Sequence, residues 1–382
     1  MGSKKVMCFA AAVIVLSMCV SAQAGWTEPI HLTELNTPGY SPSWPAISSD
    51  ESIIYFLRKA NDGSQYLWEA QKNEDTGLYE QQRIVSEIGG SLGGKSIWGV
   101  WISEDSHHLY NCWTDPYSGW KRFISMAVRN NSDELWQQTR KHSELQQGHK
   151  YLNAVSLTSD ELNIMWSARF GDTDSDTVFT ASRSSRNSDF SNIRAVTELD
   201  EIGADDPYMS ADGLTVYFHI MNDDGFYEIW KGSRNSLAEP FGNFEPLDDI
   251  NRPGAHYCRP CITADGSALY FFRGAPSWEH SVKGIYVSYN LSQLAVNNIR
   301  KAIAEKEAAI GKIDAAIDAE TAAVEVIDEM LESENYGDQT KQDIVRAKRE
   351  LLKGIQKQVS ARKALEDSLE ILNNSLAILL GE

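Results

Sequence analysis

The stretch DDPYMSADGLTVYF, Asp205–Phe218, decides the fold because its pattern recurs along the chain. The pattern is an apolar residue, Ser or Thr, any residue, Asp, three further residues, and an apolar–aromatic pair. Its aspartate falls at five places, in steps of 55, 55, 52 and 53 residues: Asp50, Asp105, Asp160, Asp212 and Asp265. A nearly constant period of this size indicates repeated structural units.

Each repeated unit predicts four β-strands. The Asp and its Gly or Ser neighbour predict a tight turn between the first two strands. A gap rich in Gly, Asp and Asn follows, then a second aromatic strand such as YEIWKGSR and a more polar strand such as FEPLDDI. One such unit cannot bury both of its faces alone, but units stacked radially can.

The fifth unit lacks its last strand, since the chain becomes helical after Ser292. The missing strand is expected at the other end, where TEPIHLTELN (Thr27–Asn36) shares the x-E-P-x-x-L pattern of FEPLDDI. The sequence therefore predicts a mainly β fold, a five-bladed β-propeller over residues 25–291. Its blades are four-stranded, and the N-terminal strand closes the ring.

The repeat resembles the TolB-type, WD-like propeller repeats that are common in proteins of the bacterial cell envelope. The best copies are DPYMSADGLTVYFHIMNDDGFYEIWKGSR and RPCITADGSALYFFRG, whereas units two and three lack the Pro and the turn Gly. The resemblance covers residues 25–290 and implies an envelope setting. An amino-terminal domain of the TolB kind is not recognisable, so the resemblance does not carry over TolB's own role.

Residues 1–24 are typical of a secretory signal peptide. Lys4 and Lys5 precede a short apolar run, and SAQA ends in a small-residue site, so we expect cleavage after Ala24. This predicts a periplasmic, secreted or cell-envelope protein. LSMC, ending at Cys19, resembles a lipoprotein box, although Met18 stands where a small residue is preferred. Lipid anchoring at Cys19 is the alternative.

Charge and cysteine content exclude several classes of protein. The formal net charge is −19 and no basic stripe occurs, so nucleic acid is not an expected partner. No run after residue 24 is long and apolar enough to span a bilayer. The three remaining cysteines, Cys112, Cys258 and Cys261, are an odd number and do not form a disulfide framework. We expect buried or half-buried thiols rather than redox or zinc chemistry, and no cofactor.

Residues 292–382 predict an all-α antiparallel coiled-coil hairpin. Apolar residues recur at heptad spacing on both sides of the turn sequence SENYGD. The first helix carries Ile303, Ile310, Ile317, Val324 and Leu331, and the second carries Ile344, Leu351, Ile355, Leu365, Leu369, Leu372, Leu376 and Leu379. Two helices alone bury one stripe each, so the tail is expected to pack on a partner. We favour a second copy over the propeller or a foreign protein.

Propellers bind ligands at the central channel and its rim, where each inner strand starts. The position seven residues before each turn aspartate gives one ring of residues: Ser43, Trp98, Asn153, Asp205 and Cys258. Polar and aromatic residues flank it: Trp44, Tyr151, Asp206, His256 and Arg259. Rings, amides and charges of this kind could bind a sugar or a peptide. The alternative is that they only line the channel.

The sequence favours an exported, non-enzymatic binding or scaffold protein that recognises a protein or carbohydrate. The rival is a carbohydrate-active hydrolase or lyase, which needs two separated carboxylates. Asp205 and Asp206 both belong to one unit, so no catalytic residue is assigned. GDTDSD offers alternate acids for calcium, Asp172, Asp174 and Asp176, but without EF-hand spacing.

Overall fold

The computed structural model of the chain describes residues 25–59, 65–88, 96–131, 133–171, 175–274, 283–332 and 336–380. The predicted signal peptide and the Cys19 anchor lie outside these residues and stay predictions. The described chain forms two compact units, one up to Leu291 and one from Ser292 onward, and each is described separately.

The first unit is a five-bladed β-propeller, as the repeats predict. The first strand, β1 (Ile30–His31), belongs to the last blade. Blade one contains β2 (Ser43–Ile47), β3 (Ile53–Lys59), β4 (Gln65–Lys72) and β5 (Tyr79–Ile84); blade two contains β6 (Ile97–Ile102), β7 (His108–Asp115), β8 (Lys121–Val128) and β9 (Gln137–Lys141). Each blade is an antiparallel sheet of four strands, and in the first four blades the strands lie side by side in chain order from the axis outward.

The remaining blades repeat this order. Blade three contains β10 (Tyr151–Leu157), β11 (Asn163–Arg169), β12 (Thr177–Ser182) and β13 (Ser191–Ala195), followed by the short helix α1 (Thr197–Asp200). Blade four contains β14 (Asp205–Met209), β15 (Thr215–Met221), β16 (Tyr227–Ser233) and β17 (Gly242–Pro246). Blade five contains β18 (His256–Ile262), β19 (Ala268–Gly274) and β20 (Gly284–Tyr289), with β1 as its outer strand.

The repeated aspartate forms the same hydrogen bonds in all five blades. In blade four Asp212 Oδ1 accepts the Ser210 hydroxyl at 2.6 Å and the Leu214 N–H at 2.9 Å. The Ser210 hydroxyl oxygen accepts the Thr215 N–H at 2.9 Å, where β15 begins. Equivalent bonds are made at the other turn aspartates: Asp50, Asp105, Asp160 and Asp265. The motif is therefore a self-capped turn, which explains its recurrence without catalysis.

Each blade also buries one aliphatic side chain after its outer strand. The five residues are fully buried, in or near short turns: Leu35, Ile88, Leu145, Leu199 and Ile250. In each repeat, the apolar residue that follows the polar outer strand is therefore a core residue. Between the blades, aromatic side chains such as Phe56, Trp166 and Phe271 fill the core.

The N-terminal strand closes the ring, as predicted. Strand β1 pairs antiparallel with β20, with Ile30 opposite Val287 and His31 opposite Tyr286. The regular pairing is shorter than the predicted segment, because Thr33–Leu35 form a 3₁₀ turn. The Ser288 hydroxyl adds to the closure by donating to the Thr27 carbonyl at 2.6 Å.

The second unit contains two long antiparallel helices, α2 (Leu291–Glu332) and α3 (Asp338–Leu380). Arg362 Nε donates to Asp314 Oδ1 at 2.6 Å, Gln358 Nε2 donates to Glu320 Oε1 at 2.8 Å, and Lys348 pairs with Asp328. The predicted heptad residues of α2 are half-buried, and no described residue of α3 is fully buried. Coiled-coil geometry stays a prediction. No helix in the described residues is long and apolar enough to cross a membrane.

Candidate functional site

Five backbone bulges form a ring around the propeller axis. Every inner strand shifts register against its neighbour at one place. The bulged residue lies six positions before the turn aspartate and has positive φ in each blade: Trp44, Gly99, Ala154, Asp206 and Arg259. Four of these residues are not glycine. A positive φ is energetically costly for them, so the surrounding sheet has to enforce it. Together they line one small cavity.

The ring thus lies one residue later than the sequence spacing predicts. A bulge adds a residue to one strand and reverses the alternation of side chains beyond it. Trp44, Asp206 and Arg259 therefore meet at the axis, whereas Ser43 lines an open cleft at the rim instead.

Two small cavities lie along the channel. The cavity inside the ring holds about 20 Å³, and a second cavity further along, lined by Trp101, Tyr208 and Met209, holds about 30 Å³. Such spaces accommodate little more than a water molecule. Neither cavity is large enough for a sugar or a peptide.

Two adjacent carboxylates and a buried imidazole lie at the channel mouth. His219 Nε2 is 4.0 Å from Asp205 Oδ2, and His219 Nδ1 is 4.0 Å from Asp206 Oδ2. Arg259 Nε lies 3.6 Å from Asp206 Oδ2. Burial, and then the charge of Asp205, raise the pKa of Asp206 well above its ordinary value, while Arg259 opposes the rise. Burial lowers the pKa of His219 to about 4, so its imidazole is neutral at pH 7.

A third carboxylate comes from the neighbouring blade. Asp176, just before β12, has a pKa raised to about 6, first by burial and then by the charge of Asp205. Arg169 Nε lies 4.0 Å from Asp176 Oδ1, and Arg169 and Arg122 oppose the rise. The sequence suggested Asp176 only for calcium. Asp172 and Asp174, its proposed partners, lie outside the described residues, and the described residues contain no cluster of three potential metal ligands.

Arg122 organises the blade-two and blade-three side of the mouth. Its guanidinium carbon lies 3.9 Å from the centre of the Trp98 ring and 4.6 Å from that of Tyr151. The same guanidinium donates to Asn153 Oδ1. Burial lowers the pKa of Arg122 to about 10. Three residues named from the sequence thus surround an arginine that sequence reasoning missed, because Arg122 lies on β8, the third strand of its blade.

His256 and the cysteines, which were also named from the sequence, make contacts inside the protein or are buried. His256 Nδ1 accepts the Tyr227 N–H at 3.2 Å, and its ring lies 5.2 Å from that of Phe226. Cys258 and Cys261 are buried free thiols, and burial raises their pKa values to about 12 and about 11. Cys112 is also a buried free thiol. None of these thiols is placed as a reactive nucleophile.

Strand order and blade number define a five-bladed β-propeller with a charged, aromatic channel mouth. No protein-family profile and no curated protein matches the chain. Solved structures do match. An endo-arabinase from Bacteroides thetaiotaomicron is 15% identical, with 69% of this chain and 97% of that chain covered and a TM-score of 0.49.

The α-L-arabinofuranosidase PaAbf62A from Podospora anserina is 12% identical, with 70% and 96% covered and a TM-score of 0.45. TolB from Acinetobacter baumannii is 10% identical, with a TM-score of 0.38; 64% of this chain aligns with 53% of that one. This chain thus spans about half of that TolB. Similar structures include a TolB protein, in line with the resemblance of the repeat, and glycoside hydrolases. Such distant similarity leaves the function open.

Proposed function

We propose that this is an exported, non-enzymatic binding protein whose propeller recognises a carbohydrate at the channel mouth. The observation that carries the proposal is the pair of adjacent carboxylates at the mouth, Asp205 and Asp206, which lie beside Arg259 and near the aromatic rings around Arg122. Export rests on the predicted signal peptide, and the helical hairpin is proposed to mediate self-association or docking.

The chemistry of the mouth suits a sugar. Carboxylate oxygens accept hydrogen bonds from hydroxyl groups, and guanidinium groups donate to ring and hydroxyl oxygens. Trp98 and Tyr151 are half-buried rather than sealed in the core. The exposed part of an aromatic ring offers apolar surface against which a pyranose packs. A protein is the other class of ligand that could bind at the rim of the propeller.

A titration of the mature protein with neutral oligosaccharides tests this proposal. Isothermal calorimetry should detect binding that Asp205→Asn weakens, because the side chain of Asp205 is about one-third exposed and able to contact a ligand. Asp133→Asn, in the exposed turn between β8 and β9 at the opposite end of the strands, removes the same charge away from the mouth and should leave binding unchanged. No binding across a broad oligosaccharide panel would reject the carbohydrate and leave a protein ligand as the class to pursue.

The helical hairpin offers a surface for a second copy. Val345, Leu352 and Val359 are spaced by seven residues on α3, and each is more than 40% exposed. They form a second apolar stripe beside the seam that faces α2. A two-helix hairpin without a fully buried residue on α3 is marginal alone, and pairing with another hairpin would cover this stripe. We therefore propose self-association through residues 292–382.

One observation favours the rival function, a carbohydrate-active hydrolase or lyase. Asp176 holds a proton up to about pH 6 and comes from a different blade than Asp205. A protonated acid near a second carboxylate is the arrangement that glycoside hydrolysis requires. Incubation with polysaccharides, followed by assays for reducing ends and for unsaturated products, tests this. Turnover that Asp176→Asn abolishes while binding persists would establish an enzyme, and no turnover would leave the binding function.

A further inference from the structure

An open cleft of about 390 Å³ lies on the rim between blades one and five. It is on the same side of the propeller as the channel mouth, since Ser43, the first residue of β2, lines it. Four basic residues line it, Arg58, Lys59, Arg259 and Lys283, together with the rings of Tyr40 and Phe272. No acidic residue occurs among its described lining residues, in a chain whose net charge is −19.

Arg58 is buried in the wall of this cleft with neutral partners. It is 3% exposed, and its Nη1 donates to the Leu35 carbonyl and to Gln82 Oε1. Its guanidinium carbon lies 4.1 Å from the centre of the Trp68 ring, and its Nε has no partner among the described residues. A buried cation without a carboxylate carries a desolvation cost that its neutral partners offset only in part.

Two other buried arginines of the propeller, Arg129 and Arg183, contrast with Arg58, whereas Arg122 resembles it in having a neutral partner. Arg129 Nη1 lies 3.4 Å from Glu69, and Arg183 Nη2 lies 3.5 Å from Glu161. Within the described residues no carboxylate lies within ion-pair distance of Arg58, and burial alone lowers its pKa to about 10. Arg58 therefore adds a positive charge without an ion-pair partner to the wall of the cleft.

Arg259 joins the cleft to the channel mouth. Its Nε lies 3.6 Å from Asp206 on the axial side, and its guanidinium carbon lies 5.7 Å from the centre of the Phe272 ring in the cleft. The Ser41 hydroxyl is a second buried polar group of the cleft wall without a partner among the described residues. Unsatisfied donors and an uncompensated charge thus share one wall.

We propose that this cleft binds the acidic residue of a carbohydrate, with its carboxylate between Lys59 and Arg259 and its ring against Tyr40 and Phe272. The inference rests on the proposed carbohydrate function and names its substrate class, an acidic saccharide. A cleft of this volume is within the range of small-molecule sites. Guanidinium and ammonium groups bind carboxylates strongly, whereas the two rings would add nothing for a bare inorganic anion.

Calorimetric titration of the mature protein with digalacturonate, neutral galactobiose and inorganic phosphate tests the proposal. Digalacturonate should bind, and galactobiose and phosphate should each bind at least about tenfold more weakly. The reason is that hydrogen bonds to charged groups raise the binding affinity by about one to two orders of magnitude. Binding should weaken as salt rises. Lys59→Gln should weaken digalacturonate binding about tenfold, whereas Lys357→Gln, which removes the same charge from an exposed position of α3, should not.

Equal binding of the acidic and neutral sugars, or equal effects of Lys59→Gln and Lys357→Gln, would overturn the inference. Phosphate bound as tightly as digalacturonate, with no effect of Tyr40→Ser on the sugar, would overturn the saccharide part. A third outcome is that a neutral sugar binds, that Asp205→Asn weakens this binding and that Lys59→Gln does not. The proposed function would then stand, but the acidic subsite would be refuted. If no saccharide binds, both proposals fall.

Discussion

Replacing Asp176 by asparagine should change how the stability of the propeller depends on pH. In the unfolded chain this carboxyl has its ordinary pKa of 3.8, and in the folded protein the pKa is about 6. Between these values the unfolded chain has lost the proton while the folded protein keeps it. The free energy of unfolding therefore falls as pH rises through this window, and the loss is complete above about pH 6.

A pKa of about 6 instead of 3.8 corresponds to about 3 kcal/mol, and partial solvent exposure of the carboxyl reduces this to about 1 to 2 kcal/mol. Asparagine carries no such penalty. We compare the free energies of unfolding of the Asp176→Asn protein and the wild type. The difference between them should shift in favour of the variant by about 1 to 2 kcal/mol from pH 4 to pH 7.

Urea denaturation at several pH values between 4 and 7, followed by tryptophan fluorescence, measures this difference. All 11 tryptophans precede residue 291, so the signal reports the propeller and not the helical hairpin. Asp223→Asn, in an exposed turn, controls for the loss of one negative charge. A stability difference that stays constant across the range, or that grows toward low pH, would refute the assignment of a raised pKa to Asp176.

Three further predictions concern the fold and the tail. Asp212→Ala should lower propeller stability by about 1 to 2 kcal/mol in urea denaturation, because it removes two turn hydrogen bonds; an unchanged midpoint would contradict the capping role. Gly99→Ala should cost more than 2 kcal/mol by the same assay, because φ is +144° and the added Cβ would lie 2.8 Å from the Ala154 nitrogen. Gly311→Ala, in open space on α2, is its control and should stabilise the helix by about 1 kcal/mol in thermal circular dichroism. Changing Val345, Leu352 and Val359 together to glutamine should convert an oligomer to a monomer in light scattering; a wild type that is already monomeric would contradict self-association.

The propeller could be predicted because its determinants are local and repeated. The Ser210–Asp212 turn is encoded within six residues, and the same hydrogen bonds recur at Asp50 and Asp265. The closing strand was also recognisable, because its sequence resembles the outer strand of another unit. Repetition of this kind turns weak single matches into a reliable pattern.

The channel mouth was less predictable because it is assembled across blades. Arg122 on β8 reaches Trp98 and Asn153, and the charge of Asp205 in blade four helps to raise the pKa of Asp176 in blade three. Neither position belongs to the repeated motif, so no spacing rule selects them. The bulges moved the ring by one residue, and only the prolines next to some of them gave a hint in the sequence.

The closure of blade five links the two ends of the propeller chain over almost its whole length. Thr27 Oγ1 accepts the Tyr289 N–H, a bond between residues 262 positions apart. The last strand pairing therefore forms only after nearly the entire propeller has been synthesised. Between the synthesis of β20 and its pairing with β1, blade five has an open edge able to pair with another chain. Folding of this protein should be slow to complete and sensitive to concentration, so a chaperone that shields β20 would raise its yield more than one that acts on the early blades.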